Sequence, residues 1–262
     1  MSSPSSPNAT AGYSTLRRVG DFLFAWRNLI FSTVTILFLA ALSPRPLGGG
    51  AAMDRILDLV GIGVTVFGQA LRMAVIGFAY IKRGGTEGKV DAQRLVTEGF
   101  FNHCRNPLYV GNILIVAGLV VVHNNPIAYI LIPLACFGYS AIVCAEEGFL
   151  EGKFGEDYRA YCLRVPRWVP RLKGLRATTR SMEFNWMRVL YKEYTTTYSW
   201  ILGLLAILGY QVVTSPTAPA SRAAFFWQLG GVAAALTAAW AVIRYFKKTQ
   251  RRRRRLREQA AG

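Results

Sequence analysis

The sequence predicts an all-α fold: a polytopic transmembrane helical bundle of about six spans, completed at one membrane face by an amphipathic helix. Three observations predict it. The first is composition: 52% of the 262 residues are hydrophobic and 17% are charged, with a mean hydropathy of +0.27. A soluble domain carries roughly 25% charged residues. The second is the segmentation of the apolar residues into stretches of helical length, separated by Pro-, Gly- and Asn-rich turns. The third is the placement of the basic residues. The net charge of +17 comes from 31 Lys and Arg against 14 Asp and Glu. On a soluble protein that excess points to nucleic acid. On an apolar chain it points to membrane topology and anionic lipid headgroups, and no nucleic-acid partner is expected.

Residues 1–25 begin in a run rich in Ser, Pro, Asn and Thr without a signal-peptide pattern, and are expected to form a disordered tail. The first apolar segment, Trp26 to Leu42, ends at Ser43-Pro44-Arg45-Pro46 and a Gly triplet. The second, Ile56 to Ile81, holds Gln69 and Arg72 well inside and stops at Lys82-Arg83. The third, Tyr109 to Val122, is short for the roughly 20 residues of a span. It either tilts or extends back into the polar stretch before it. Asn124-Asn125-Pro126 turns the chain into the fourth, Ile127 to Ala145. A connector over 173–197 precedes the fifth and sixth, Tyr198 to Thr214 and Ala223 to Phe246, a hairpin over 198–246 followed by a basic tail over 247–262. Residues 26–172 thus form the core, with four spans and the amphipathic helix.

Six spans put both termini on one side. Arg17, Arg18, Arg27, Lys82, Arg83, Lys89, Arg94, Arg105, the basic residues from Lys153 to Lys192, and the tail Lys247 to Arg255 all fall on one set of loops. The other set carries Arg45, Arg55 and Arg222. By the positive-inside rule both termini are cytoplasmic. The run Arg251 to Arg255 is a stop-transfer anchor with access to anionic headgroups.

Two polar stretches share that cytoplasmic face: Leu95 to Gly111, and Glu146 to Pro170. In the second, Glu147, Leu150, Phe154, Tyr158 and Tyr161 recur at helical spacing on one side, and Glu151, Lys153, Glu156, Asp157 and Arg159 lie on the other. Glu146 and Glu147 stand at its start, suited to an ammonium group or to hydroxyls, and equally to a helix amino end. In the first, Pro107 opens a helix. Arg105, Asn106 and Tyr109 stand at its mouth, and Gly111 permits a close approach by backbone or ligand. Cys104, Cys136, Cys144 and Cys162 form no CxxC pair and no zinc-ligand spacing, so neither a disulfide framework nor a metal is expected. Arg72 is expected to face protein, holding an acceptor's anionic head or pairing with a Glu at the exit of the fourth span.

Arg105 to Asn112 (RNPLYVGN), Asn125-Pro126, Glu146-Glu147 and Phe154 to Pro170 (FGEDYRAYCLRVPRWVP) together resemble the signature of the integral-membrane methyltransferases, the isoprenylcysteine carboxyl methyltransferase and phospholipid methyltransferase group. The resemblance covers about Leu95 to Pro170. It departs from the group at Asn106, where many members have His, and at Phe100-Phe101, where many have Pro-Tyr. It implies S-adenosylmethionine as cofactor, bound at the cytoplasmic face between the two stretches. Carried over, the binding residues are Arg105, Asn106, Tyr109, Gly111, Glu146 and Glu147. Leu95, Val96, His103 and Tyr158 are neighbours, and Arg72, Glu146 and Glu147 stand closest to the chemistry. It also implies a lipidic or amphiphilic acceptor drawn from the bilayer; carboxylate, phosphate, amine and thiol all stay open, as does the oligomeric state. Asn106 cannot titrate, which leaves His103 as the one titratable candidate in the stretch. Two other readings are an NADPH-dependent membrane reductase of the sterol or enone type, and a transporter-like protein using Gln69 and Arg72. S-adenosylhomocysteine binding separates the first, and the absence of an inverted repeat weighs against the second.

Overall fold

The computed structural model describes residues 7–44, 50–78, 94–180, 182–214 and 221–260, and every regular element among them is helical. Helix α1 spans Pro7–Ala41, α2 Gly50–Phe78, α3 Pro107–His123, α4 Leu131–Arg164, α5 Leu175–Arg180, α6 Trp186–Thr214 and α7 Arg222–Ala260. Short 3-10 turns at Gly99–Asn102 and Pro126–Ile130 precede α3 and α4. By length and composition α2, α6, α7 and the helical run Pro126–Arg164 can each cross a membrane. The two halves of α1, Thr15–Arg27 and Leu29–Ala41, meet at 80° and together make a fifth candidate. Helix α3, with 17 residues, is a shorter apolar helix. The six apolar segments of the sequence therefore correspond to six helices of a membrane bundle.

Several boundaries differ from the sequence reading. The chain is helical from Pro7, not from Trp26. Within the stretch expected as a tail, Gly20 lets α1 sit against the Ala141 carbonyl and Ala145 of α4, an approach that a Cβ would block. Helix α3 starts at Pro107 and does not run back through the polar stretch, because Asn106 sits at φ −128°, ψ 48°, outside helical space. Helix α6 begins at Trp186 instead of Tyr198, and α7 continues through the basic tail to Ala260. Residues 1–6 of the tail, Lys82-Arg83 at the end of the second segment, and the turns at 45–49 and 215–220 lie outside the described residues.

The second polar stretch is helical to Arg164 in two lengths, across a kink. It continues α4 out of the apolar segment to Phe154 and breaks at Gly155, where φ is 49° and ψ −120°. Only glycine enters that region at low cost. Beyond the break Tyr158 and Tyr161 are buried with Leu150 and Val165, the face that the periodicity of three and four predicts.

The tightest helix pair is α2 with α3. Gly61 and Gly68 of α2 face Gly118 and Gly111 of the antiparallel α3, each seven residues from the next on its own helix. A Cβ on Gly61 would strike the Gly118 carbonyl, and one on Gly68 the Gly111 carbonyl. Small residues at such spacing bring backbones together where lipid supplies no hydrophobic drive for helix association. Thr65, on the same α2 face, is fully buried and donates to the Gly61 carbonyl. Gly111 thus meets backbone and the stem of Arg72.

Replacing Gly118 with Leu drives a side chain into Thr65 and the α2 backbone, which cannot rotate away. The expected loss is about 3 kcal/mol, read as a lowered unfolding temperature in detergent, while Gly63→Leu, where a Cβ meets nothing, leaves it unchanged.

Candidate functional site

The two polar stretches are joined by main-chain hydrogen bonds. The Arg105 N–H donates to the Pro166 carbonyl (2.9 Å) and the Arg171 N–H to the His103 carbonyl (2.9 Å). Asn106 Nδ2 donates to the Arg167 carbonyl (3.2 Å), and the Tyr161 hydroxyl to the Phe101 carbonyl (2.7 Å). Prolines at 166 and 170 keep the segment between them from helix and leave its carbonyls free to accept. Cys104 is buried in this seam with its sulfur against the Trp168 carbonyl (3.3 Å); burial pushes its thiol up, so it stays protonated and inert.

His103 is 5% exposed, and both ring nitrogens are engaged: Nδ1 with the Arg171 carbonyl (2.8 Å) and Nε2 with Thr178 Oγ1 (2.9 Å). It fastens the segment after Pro170 to α5. Val96 packs with Val75, Phe100 and Phe101, and Leu95 packs against the cluster of Leu150, Tyr158 and Tyr161. These residues form the apolar walls of the joint.

At the centre of the joint stands a charge cluster. Glu147 lies between Arg105 (Nη1 to Oε1, 3.0 Å) and Arg167 (Nη2 to Oε2, 2.6 Å). Arg105 Nη1 also donates to Cys162 Sγ (2.8 Å). Burial works against the Arg105 charge, and Glu147, Cys162 and Tyr158 outweigh it, so the guanidinium titrates above its ordinary value and stays cationic. Beside the cluster the Tyr109 hydroxyl donates to Glu146 Oε1 (2.8 Å). Arg105 Nε and Arg167 Nε are buried without a hydrogen-bond partner among the described residues, and Glu147 Oε1 is met by the Arg105 guanidinium as an ion pair. Two open guanidinium donors beside a carboxylate fit a small zwitterion such as an amino-acid moiety, whose ammonium would share the carboxylate with the two arginines.

Arg72 lies in a second, deeper knot. Its Nε and Nη2 grip the Glu193 carboxylate of α6 at 2.9 and 2.7 Å, a fork-to-fork pair that is 12% exposed on the Arg side and 2% on the Glu side. Its Nη1 donates to the Leu108 carbonyl (3.3 Å) and to Asn112 Oδ1. Four of its five N–H donors are therefore engaged by protein. Gln69 Nε2 adds a bond to Glu193 Oε2 (3.2 Å), and Trp200 Nε1 donates to Gln69 Oε1 (3.0 Å). The acid that pairs with Arg72 is Glu193, not a Glu at the exit of the fourth span. The structure thus brings Arg105, Glu147 and Tyr158 together, with Asn106, Tyr109 and Glu146 at their border. It leaves Arg72 and Gly111 on the helix-packing side.

Sequence reasoning missed Arg167 and Glu193. Arg167 falls at a variable position of the signature between two prolines, and only the chain reversal places it over Glu147. Glu193 was assigned to the connector, although an Arg deep in a span requires an acid and Glu193 sits in an aromatic run of span length. Among the described residues no three His, Cys, Asp or Glu side chains converge to hold a metal ion.

Residues 57–157 match the family described as phospholipid methyltransferase. The protein-S-isoprenylcysteine O-methyltransferase of Mus musculus is 32% identical over 126 residues, covering 46% of this chain and 44% of the relative, and that of Homo sapiens is 32% identical over 126 residues, covering 46% and 43%. Over that part of its length the chain is similar to the integral-membrane methyltransferases. The methyltransferase match spans less than half the length of those curated relatives. The cobalt-zinc-cadmium resistance protein CzcN of Cupriavidus metallidurans is 28% identical over 209 residues, covering 78% of this chain and 88% of that protein. No solved structure matches. Arg167 and Glu193 both lie beyond the residues that match the methyltransferase family description.

Removing one partner of a buried ion pair strands the other. Glu193→Ala is expected to cost about 3–5 kcal/mol, and the paired Arg72→Met/Glu193→Leu change to recover most of it, as measured by unfolding in detergent.

Proposed function

We propose that this chain is an S-adenosylmethionine-dependent methyltransferase that works at the cytoplasmic membrane face on an amphiphilic acceptor. The observation that carries the reading is the pair of open guanidinium donors, Arg105 Nε and Arg167 Nε, beside the Glu147 carboxylate at the joint of the two signature stretches. Arg105 and Arg167 would hold the carboxylate of the cofactor's amino-acid end, and Glu147 its ammonium, with Glu146 and Tyr109 next to them for hydroxyl groups. S-adenosylmethionine, when bound, supplies an electrophilic methyl group on a sulfonium, whose transfer releases a neutral thioether. The protein's share is to align the partners, hold the charges and keep water out. Tyr158, Tyr161, Leu95 and Val96 supply the dry walls.

The acceptor is best read as an oxygen that is already anionic. His103 has both nitrogens engaged, Asn106 cannot titrate, and Glu146 and Glu147 are bonded to Tyr109, Arg105 and Arg167. Among these groups only the second oxygen of Glu146 keeps room for a proton, and a carboxylate or phosphate oxygen asks for no base at neutral pH, unlike an amine or thiol. The names of the relatives, O-methyltransferases of an isoprenylated cysteine, point to the same atom type. The basic loops support the orientation, with both termini and the joint on the cytoplasmic side, where the soluble cofactor is. The basic end of α7 then faces anionic headgroups.

Calorimetry on purified protein should detect binding of S-adenosylhomocysteine and none of NADPH. Glu147→Gln and Arg167→Gln should each weaken it at least tenfold, about 1.4 kcal/mol, with helicity unchanged. Binding that is indifferent to both changes would move the cofactor elsewhere. Labelled S-adenosylmethionine with a total lipid extract then identifies the product by mass; a product methylated on nitrogen or sulfur would overturn the oxygen assignment.

A further inference from the structure

Helices α6 and α7 lie outside the residues that match the methyltransferase family description, and against α2 they enclose a groove of about 310 Å³. Its wall is mostly apolar, including Met73, Val189, Leu236 and Ile243; Glu193, which is held by Arg72, and Tyr194 and Tyr198 also line it, as do Thr197 of α6 and Trp240 of α7. Thr197 Oγ1 and Trp240 Nε1 are both buried, and neither has a hydrogen-bond partner among the described residues. An N–H without an acceptor at bilayer depth costs several kcal/mol, because lipid tails offer none. Nor is the indole loosely placed: the Tyr198 ring stacks on it at 5.3 Å. The groove that both residues line is where an acceptor can be supplied.

The order of groups along α7 says what kind. Leu236, Trp240 and Arg244 follow one another at i, i+4 and i+8, one helical turn or about 6 Å apart. The Arg244 guanidinium lies 4.9 Å over the Trp240 ring and its side chain is exposed. Lys247 follows, 4.7 Å over the ring of Tyr194, another residue of the groove. From the basic end inward the groove therefore presents a cation, then hydrogen-bond donors, then an apolar trough. A diacyl phospholipid presents the complement in the same order: phosphate, ester carbonyl, acyl chain. The clustered cations oppose a choline or ethanolamine head and favour one with net negative charge.

We propose that this groove binds one anionic diacyl phospholipid, with its ester carbonyls accepting from Trp240 and Thr197, its phosphate beside Arg244 and an acyl chain against α2 and α6. The site is separate from the Arg105–Glu147–Arg167 cluster and does not rest on methyl transfer. It gives the carboxy-terminal hairpin a ligand of its own.

The test is native mass spectrometry of the full chain in detergent, titrated with dioctanoyl phosphatidylglycerol, its dialkyl ether analogue and dioctanoyl phosphatidylcholine. The ester lipid should form a single saturable adduct and bind roughly tenfold tighter than the ether, the worth of one to two hydrogen bonds. Trp240→Phe with Thr197→Val should abolish the ester preference, and Arg244→Gln the preference for phosphatidylglycerol over phosphatidylcholine. Equal binding of ester and ether by the unaltered protein overturns the proposal, whatever the variants do. So does displacement of the lipid by inorganic phosphate, or a protein dimer in place of the lipid adduct.

Discussion

A guanidinium held within a bilayer must find its partners in protein, and the Arg72–Glu193 pair shows how much structure that demand organises. Two helices far apart in sequence are tied by a forked ion pair at 2.7 and 2.9 Å. The remaining Arg72 donors then reach the first turns of α3 through the Leu108 carbonyl and Asn112. Gln69 and Trp200 close the circuit from the other side. The mouth of α3, where Tyr109 meets Glu146, is thus positioned from beneath by a charge pair that touches none of the candidate ligand groups. The pair need not add net stability, since desolvation offsets much of the Coulombic gain. What it supplies is register: α2, α3 and α6 can satisfy these groups in one arrangement.

The glycine contacts between α2 and α3 work with it. Gly68 and Gly111 bring the backbones so close that the stem of Arg72 passes over Gly111, and its head can then reach Asn112. A larger residue at 111 would displace both the helix and the guanidinium. Packing and charge satisfaction are therefore one constraint at this level of the bundle. The site above it is held differently, by main-chain bonds between a loop and the Pro166–Pro170 segment. Rigid helices fix the depth of the joint, and the extended segment places Arg167.

Much of this was legible in the residues. The six apolar segments follow from hydropathy, and the pairing of the two polar stretches from the resemblance to a known family. The buried face of Leu150, Tyr158 and Tyr161 follows from helical periodicity, which burial of that face requires. Boundaries were less legible. Trp186 to Tyr198 reads as connector because Lys192 and Glu193 depress its hydropathy, and no local rule says that a distant Arg will neutralise the acid. His103 looked titratable in a chain poor in titratable groups, yet its two nitrogens are consumed by a carbonyl and a threonine that only the fold brings near.

By itself, the sequence determined that this chain lies in a membrane, which of its stretches are apolar, and that Arg105, Tyr109 and the Glu146-Glu147 pair belong to one signature. The first two are properties of composition and spacing and the third of a resemblance to a known family, and all three survive without knowing which helix touches which. Tertiary structure alone decided that Arg167 completes the cluster, that Glu193 answers Arg72, and that Trp240 and Thr197 line one groove. Each of those depends on side chains from separate elements meeting in space, and the energy of such a meeting is invisible until the chain has folded.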